Sequence, residues 1–440
     1  MDISRPNIVM IIVDALRPRD ISLYGYHKEV DKNIKRIANK SVVFENNFTA
    51  SNLSDPSKTS IFSGQYPFTH GVVHQYPFIK QPEIDKLKKL KFWLPIYLKH
   101  KGYSTIATTS LHLWMKKGFD YIKEDEIDEN PSKIKKFFKK ISGNDKLLKI
   151  ILKFPDVLYR LAKKLSGGYH TPYKDARQIV DLSIDKIKNE ENPFFLFMHF
   201  EDTHYPYPGA KTPPKMGNNT VKKIVDNIPV KSQKEYVKKR FFDASASTLE
   251  QMKEKLDNAI VNVDNEIGRL YDYLEENKLL ENTIFMIFAD HGTTFGEHNI
   301  YFEHSGLYDE SIHVPLIMKI PGIIPRRVNA LTQSIDIAPT ILDVLGDKKE
   351  IDGKSLLEVM KNGGEFRDKI FCVDTCSEKA FTVRNKKKKL IVSDSKGCYL
   401  CGAVHNDNFE EYDLENDPEE RNNIYTGNSE FGKVADNINF

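Results

Sequence analysis

Two apolar runs, each closing on an acid, constrain the fold of this chain more than any other feature. Pro6–Asp14 reads P-N-I-V-M-I-I-V-D, and Ile284–Gly292 reads I-F-M-I-F-A-D-H-G. Successive positions are apolar without alternation, so both faces of each strand must be covered, as in a parallel sheet packed between helices. Neither run approaches the ~18 apolar residues of a membrane-spanning helix. Open α/β sheets place their ligands beyond the carboxyl ends of their strands. That puts Asp14 and Asp290, with His291 beside it, at one rim of a sheet.

Strands are predicted at Asn7–Val13, Val42–Phe48, Ser104–Thr108, Phe194–His199, Ile284–Ala289 and Val314–Lys319. They alternate with helices at Asp31–Ala38, Leu94–Lys101, Tyr173–Asn189, Ala246–Asn277 and Ile337–Leu345. This alternation predicts an α/β architecture, a large and mainly parallel sheet sandwiched by helices. After Asp352 the texture changes to short β-type runs at Ile370–Val373, Ala380–Arg384 and Leu390–Ser393, separated by turn residues such as Asn385 and Ser395-Lys396-Gly397. Residues 1–350 are therefore expected to form the main domain and 351–440 a small antiparallel subdomain. A chain of 440 residues is long enough for both cores. No internal repeat is visible.

A third segment, Ser54–Gly71, reads S-D-P-S-K-T-S-I-F-S-G-Q-Y-P-F-T-H-G. Pro56 suits the first turn of a helix. The Ser54 hydroxyl then stands at the positive end, where an anion meets unpaired N–H groups, and a helix-like run follows from Ser57 to Phe62. Lys58, one turn further in, returns a full positive charge to the same point. Ser54 reads as a helix cap or as a nucleophile. Asp14 and Asp290 read as caps of the helices that follow, or as metal ligands joined by His291 and the serine oxygen.

Taken in order, these segments resemble the sulfatase family within the alkaline-phosphatase-like superfamily. The likeness runs through Leu16-Arg17, Leu23–Tyr26, the Ser54 segment, Trp93-Leu94-Pro95 and Gly102–Thr105. It continues through Pro193–Tyr207, Val263-Asp264 with Ile267-Gly268, Asp290–Gly292, Leu307–Glu310 and Val314–Leu316. It ends with Asp336–Thr340, Asp352-Gly353, Ser355-Leu356 and Tyr412–Pro418. The resemblance implies an alkaline-phosphatase-like fold with a small antiparallel carboxyl-terminal subdomain, and metal-dependent hydrolysis of sulfate esters. Asp14, Ser54, Asp290 and His291 would hold one divalent metal, calcium by family default. Lys58, His204, His304 and His112 would handle the anion and its protons. A maturase would convert Ser54 to formylglycine, whose hydrate attacks sulfur and then releases sulfate by elimination. His304 stands near where many sulfatases have a lysine, and His112 alone survives of a Lys-x-His pair. His70 is expected to be structural.

The chain also departs from the family. Ala15 stands where a second acid is common and His291 where asparagine is common, so the donor set is softer; manganese, magnesium or zinc then compete with calcium. Lys58 replaces the arginine of the modification motif, keeping the charge but losing the planar fork. Direct attack by an unmodified Ser54 on a phosphate or phosphonate ester, as a hydrolase or head-group transferase, is therefore the alternative function. A non-catalytic anion-binding relative is a third, and a second metal at Asp202, His204 and His304 is a variant of the site. The substrate is expected to be a small-molecule or carbohydrate sulfate ester, its alcohol unspecified.

The 65 basic and 62 acidic residues leave a net charge of +3, which argues neither for nor against nucleic acid, and no such partner is expected. No basic, apolar and small-residue leader opens the chain, so the expectation is a cytoplasmic protein. An insertion near residues 130–168 is basic and helical in pattern: Lys133–Lys164 carries eleven Lys or Arg against two acids. It reads as a solvated helical insertion, a lid over the site or a surface for an anionic membrane. Cys372, Cys376, Cys398 and Cys401 are spaced as in structural zinc sites, or are four ordinary thiols.

Overall fold

The computed structural model describes residues 5–76, 79–109, 111, 113–123, 175–208, 219–374, 380–393, 398 and 408–431. Eight strands form the main sheet: β1 Asn7–Val13, β2 Val42–Phe48, β3 Ser104–Ala107, β4 Tyr121–Ile122, β5 Phe194–Phe200, β6 Thr283–Phe288, β7 Leu316–Lys319 and β8 Arg326–Gln333. Their order is β4-β3-β5-β1-β6-β7-β2-β8. Only β7 runs against its neighbours, pairing antiparallel with β6 and β2, so the sheet is mainly parallel as expected.

Because both faces of the sheet are covered, its strands divide cleanly by parity. Val9, Ile11 and Val13 of β1 join Leu196, Met198 and Phe200 of β5 and Phe285 and Ile287 of β6 in one core. The helix Leu249–Glu276 packs there through Leu256, Ile260, Val263 and Ile267. Ile8, Met10 and Ile12 join Phe195, Phe197, Met286 and Phe288 in a second core on the opposite face. Ile61 and Phe62 of the helix Ser54–Ser63 and Leu94 and Leu98 of the helix Leu94–His100 pack there. Each fully buried side chain of this kind contributes roughly 1.5–3 kcal/mol over exposure, which is why the runs without alternation became central strands.

Several of the recurrent motifs are scaffolding. Asp264, in the helix Leu249–Glu276, accepts bonds from the backbone N–H groups of Asn33 (3.0 Å) and Ile34 (2.7 Å), and so holds the start of the helix Lys32–Ala38. The buried Arg17 guanidinium grips Asp20 through Nε (2.7 Å) and Nη2 (2.8 Å), and also donates to the Thr293 carbonyl (3.0 Å). It thereby ties the loop after β1 to the loop after β6.

A second sheet, four-stranded and antiparallel, comprises β9 Ile370–Asp374, β10 Ala380–Arg384, β11 Lys388–Ser393 and β12 Phe409–Asp413 in the order β12-β11-β10-β9. It shares an apolar cluster with the main sheet, in which Phe48 and Leu331 meet Ile370, Ile391 and Tyr412. Buried charge joins them as well. Lys389 is fully buried, 3.0 Å from Asp309 and 2.6 Å from Glu420, and Arg384 Nη1 donates to Asp309 Oδ1 at 2.7 Å. Burial alone would raise the Asp309 carboxyl, but Arg384 and Lys389 hold it well below the usual carboxylate range. Cys372 and Cys398 are buried in the shared apolar cluster, while Cys376 and Cys401 lie outside the described residues. So do His112 and the basic insertion. Among the described residues no helix is long and apolar enough to cross a membrane.

Candidate active site at the carboxyl ends of three strands

β1 lies between β5 and β6, with Ile12 in register with His199 on one side and Phe288 on the other. Parity then decides which side chains meet. Ile12, Phe197 and Phe288 face the second core, so Asp14, His199 and Asp290, each two residues further on, stand at the rim of that same face. The Asp14 backbone is fixed by its N–H to the Phe200 carbonyl (2.9 Å), and its carbonyl accepts the Thr203 hydroxyl (2.6 Å). Gly292 follows the second acid because a Cβ there would lie 2.0 Å from the Glu310 carbonyl oxygen. The backbone approaches closely enough for the Gly292 N–H to reach the Ser311 carbonyl at 2.9 Å.

The helix bearing the serine starts earlier than the run Ser57–Phe62 indicated, spanning Ser54–Ser63 with Leu53 as its flanking residue. Ser54 is therefore the first helical residue and does not cap. Its Oγ lies 2.9 Å from His291 Nε2. His291 Nδ1–H donates to the Gly292 carbonyl (2.8 Å), which leaves the Nε2 lone pair to face the serine hydroxyl. Ser57 Oγ donates to the Asp290 carbonyl (2.7 Å), and Asn52 Nδ2 donates to the carbonyls of His304 (2.7 Å) and Gly306 (3.0 Å). The helix is thus locked to both later loops. Lys58 lies one turn along, 7% exposed, with no ion pair or hydrogen bond to another described residue. A buried cation without a counter-ion is a standing attraction for an anion.

Around the same point, Asp14 Oδ1, Asp290 Oδ2 and both ring nitrogens of His199 are buried and, among the described residues, without hydrogen-bond partners. His291 Nε2 is 3.6 Å from Asp14 Oδ1 and 3.9 Å from Asp290 Oδ2. Buried polar atoms are rarely orphaned, and a ring of orphaned acceptors fits a cation. Burial would raise the Asp14 carboxyl, but His204, His199 and His291 hold it well below the ordinary range. Asp14, His199 and Asp290 form one of two metal-type groups among the described residues. The other, His298, Glu310 and Glu420, already has cations in place: Arg19 lies 2.7 Å from Glu310 and Lys389 reaches Glu420.

The remaining histidines flank this cluster. The rings of His291 and His304 are 4.2 Å apart, and His204 lies 6.5 and 6.3 Å from them. Burial, then the neighbouring His291 and His204, push the His304 imidazole well below its usual value, so it is neutral at physiological pH. His204 is half-buried and its Nδ1–H donates to the Tyr205 carbonyl at 2.7 Å. Asp14, Ser54, Asp290, His291, His204, His304 and the Lys58 helix therefore converge. His70 does not: its Nδ1 accepts the Val72 N–H (3.0 Å) and its Nε2–H donates to Ser60 (2.9 Å), so it is structural. His199 was not singled out from the sequence, because it is embedded in the apolar run F-F-L-F-M-H-F. The signal was its parity, two residues past Phe197 on the face that carries both acids.

A model of the sulfatase family matches residues 6–347, and a model of the N-sulphoglucosamine sulphohydrolase carboxyl-terminal region matches residues 296–439. The chain belongs to the sulfatase family. Among its relatives, an N-acetylglucosamine-6-O-sulfatase from Bacteroides thetaiotaomicron is 23% identical, over 98% of this chain and 84% of the relative. The fold is shared with a protein solved in complex with its substrate D-glucosamine-2-N,6-O-disulfate, at a TM-score of 0.68 and 21% identity, covering 98% of this chain and 95% of that one. It is shared equally with a phosphonate monoester hydrolase of Agrobacterium radiobacter, at a TM-score of 0.64 and 17% identity, covering 98% and 93%.

Proposed function

We propose that this chain hydrolyses sulfate esters of carbohydrates, with the attacking oxygen carried by a formylglycine made from Ser54. One observation carries the reading. The Ser54 oxygen meets His291 at 2.9 Å, beside the orphaned carboxylate oxygens of Asp14 and Asp290. Asp14, Ser54, Asp290 and His291 would hold a divalent ion, which when bound supplies positive charge that acidifies the attacking hydroxyl and neutralises the ester. Lys58 draws in the sulfate.

The formylglycine hydrate carries two hydroxyls on one carbon. One gives up its proton to water and attacks sulfur, the bond from sulfur to the alcohol oxygen breaks, and the leaving alkoxide takes a proton from His204, which recovers one from water. The second hydroxyl then gives its proton to His304, which is neutral and has an unpartnered Nδ1. The carbon–oxygen bond to sulfate breaks, which regenerates the aldehyde for rehydration by water. The sugar class follows from the relatives, one named for N-acetylglucosamine 6-O-sulfate and one solved with a disulfated glucosamine. A formylglycine-generating maturase is the implied partner.

The test is the mass of the Ser54 peptide, from protein made with a serine-type maturase. The expected result is loss of two hydrogens, with turnover of a sulfated glucosamine that vanishes in Ser54→Ala. Active protein with an intact serine would overturn the formylglycine step. It would favour the second reading, direct attack by Ser54 on a phosphonate or phosphate ester, which His291 and Lys58 support and which a phosphonate monoester is the substrate to try.

A further inference from the structure

His199 has no task in the reaction just described. It is the only polar residue of β5, is 2% exposed, and neither ring nitrogen has a hydrogen-bond partner among the described residues. A strand interior fills such a position with an apolar residue unless something bonds the imidazole. We infer that His199 is a further ligand of the divalent ion, and that with His291 it selects a nitrogen-accepting transition ion, manganese or zinc, over calcium. This rests on the metal-dependent reading above and deepens it.

The spacing carries the argument. His199 Nε2 lies 3.0 Å from Asp14 Oδ2 and 4.0 Å from Asp290 Oδ2. An ion with bonds of about 2.1 Å separates neighbouring ligand atoms by about 3.0 Å and opposite ones by about 4.2 Å. The three donors therefore lie close enough together that one ion would be within reach of all of them. His291 Nε2 reaches the same Asp290 Oδ2 at 3.9 Å and the other oxygen of Asp14 at 3.6 Å. The 3.0 Å contact pairs His199 with one oxygen of Asp14, but among the described residues Nδ1 of His199 and Oδ1 of Asp14 have no partner. Ala15, next to Asp14, offers no side-chain donor. The set is then two imidazole nitrogens, two carboxylates and the Ser54 oxygen. Calcium takes six to eight oxygens, whereas manganese and zinc accept imidazole readily.

The test uses the full chain stripped of metal by a chelator and reloaded. X-ray absorption of the zinc-loaded wild type is expected to count two imidazoles, and one in His199→Asn. Calorimetric titration is expected to give zinc and manganese at least ~100-fold tighter binding than calcium, a ratio that falls at least tenfold in His199→Asp. A single imidazole in the wild type would overturn the inference, and that measurement needs no variant to fold. So would a cobalt-loaded His199→Asn with unchanged affinity and visible absorption. A wild type that binds no divalent ion, matched by Asp14→Asn, would sink the metal reading of the function itself.

Discussion

Acidification should loosen the helix that carries the serine before it touches the chemistry, and His70 sets the size of the effect. This imidazole is fully buried, and burial depresses its pKa from 6.5 to about 3. It is bonded at both nitrogens, to the Val72 N–H and to Ser60 of the Ser54–Ser63 helix. In the unfolded chain the same group titrates near 6.5. Between those values the unfolded state binds a proton that the native state refuses, so stability is fully present above pH 6.5 and falls as pH drops toward 3. Each unit is worth about 1.4 kcal/mol, so the loss is roughly 2 kcal/mol at pH 5 relative to neutrality. Buried His304 and His313 are shifted the same way, so the wild-type slope alone does not isolate His70. The comparison is with His70→Asn, which keeps an acceptor for Val72 and cannot titrate. Urea unfolding at pH 7 and pH 5 should show the variant less stable at neutrality but losing about 2 kcal/mol less on acidification. Parallel pH profiles, or a His70 signal titrating near 6.5 by NMR, would refute the reasoning.

Lys58→Met should lower kcat/KM by roughly 10- to 100-fold, the worth of a charge-assisted bond to the anion, while leaving thermal stability unchanged or higher, because a buried ammonium without a partner is removed; steady-state kinetics beside a melting curve check both halves. Lys389→Met should destabilise by about 3–5 kcal/mol, since Glu420 loses its buried counter-ion, as measured by denaturant unfolding. Gly292→Ala should cost at least about 2 kcal/mol, because the added methyl collides with the Glu310 carbonyl. By displacing His291 it should also weaken metal binding, read by calorimetry.

The central strands were legible because a strand buried on both faces has no polar positions to blur its limits. β1 and β2 keep their expected bounds, and β5 and β6 shift by one residue. Edge positions were harder. β8, R-R-V-N-A-L-T-Q, opens on two arginines and mixes polar with apolar residues at the margin of the sheet, and was not anticipated. Neither was β12, F-E-E-Y-D, whose buried Glu410 is tied to Tyr308 at 2.7 Å. Val314 and Pro315 fall outside β7, where Val314 donates instead to the Asn47 carbonyl at 3.0 Å. In the site, the acids and His291 drew notice because they end apolar runs, and the serine because it opens a helix two residues before Pro56. His199 sits inside one, and only pairing to β1 reveals which face it shares.

The buried grip of Lys389 and Arg384 on Asp309 reaches further than the joint between two sheets. Asp309 stands five residues beyond His304, and Asn52 anchors that loop to the segment just before Ser54. A chain cut near residue 350 would keep every residue assigned to catalysis yet lose both cations that hold this loop in place. The two parts therefore work as one mechanical unit, in which a change at Lys389 or Arg384 reaches the loop that carries His304 without altering a reacting group.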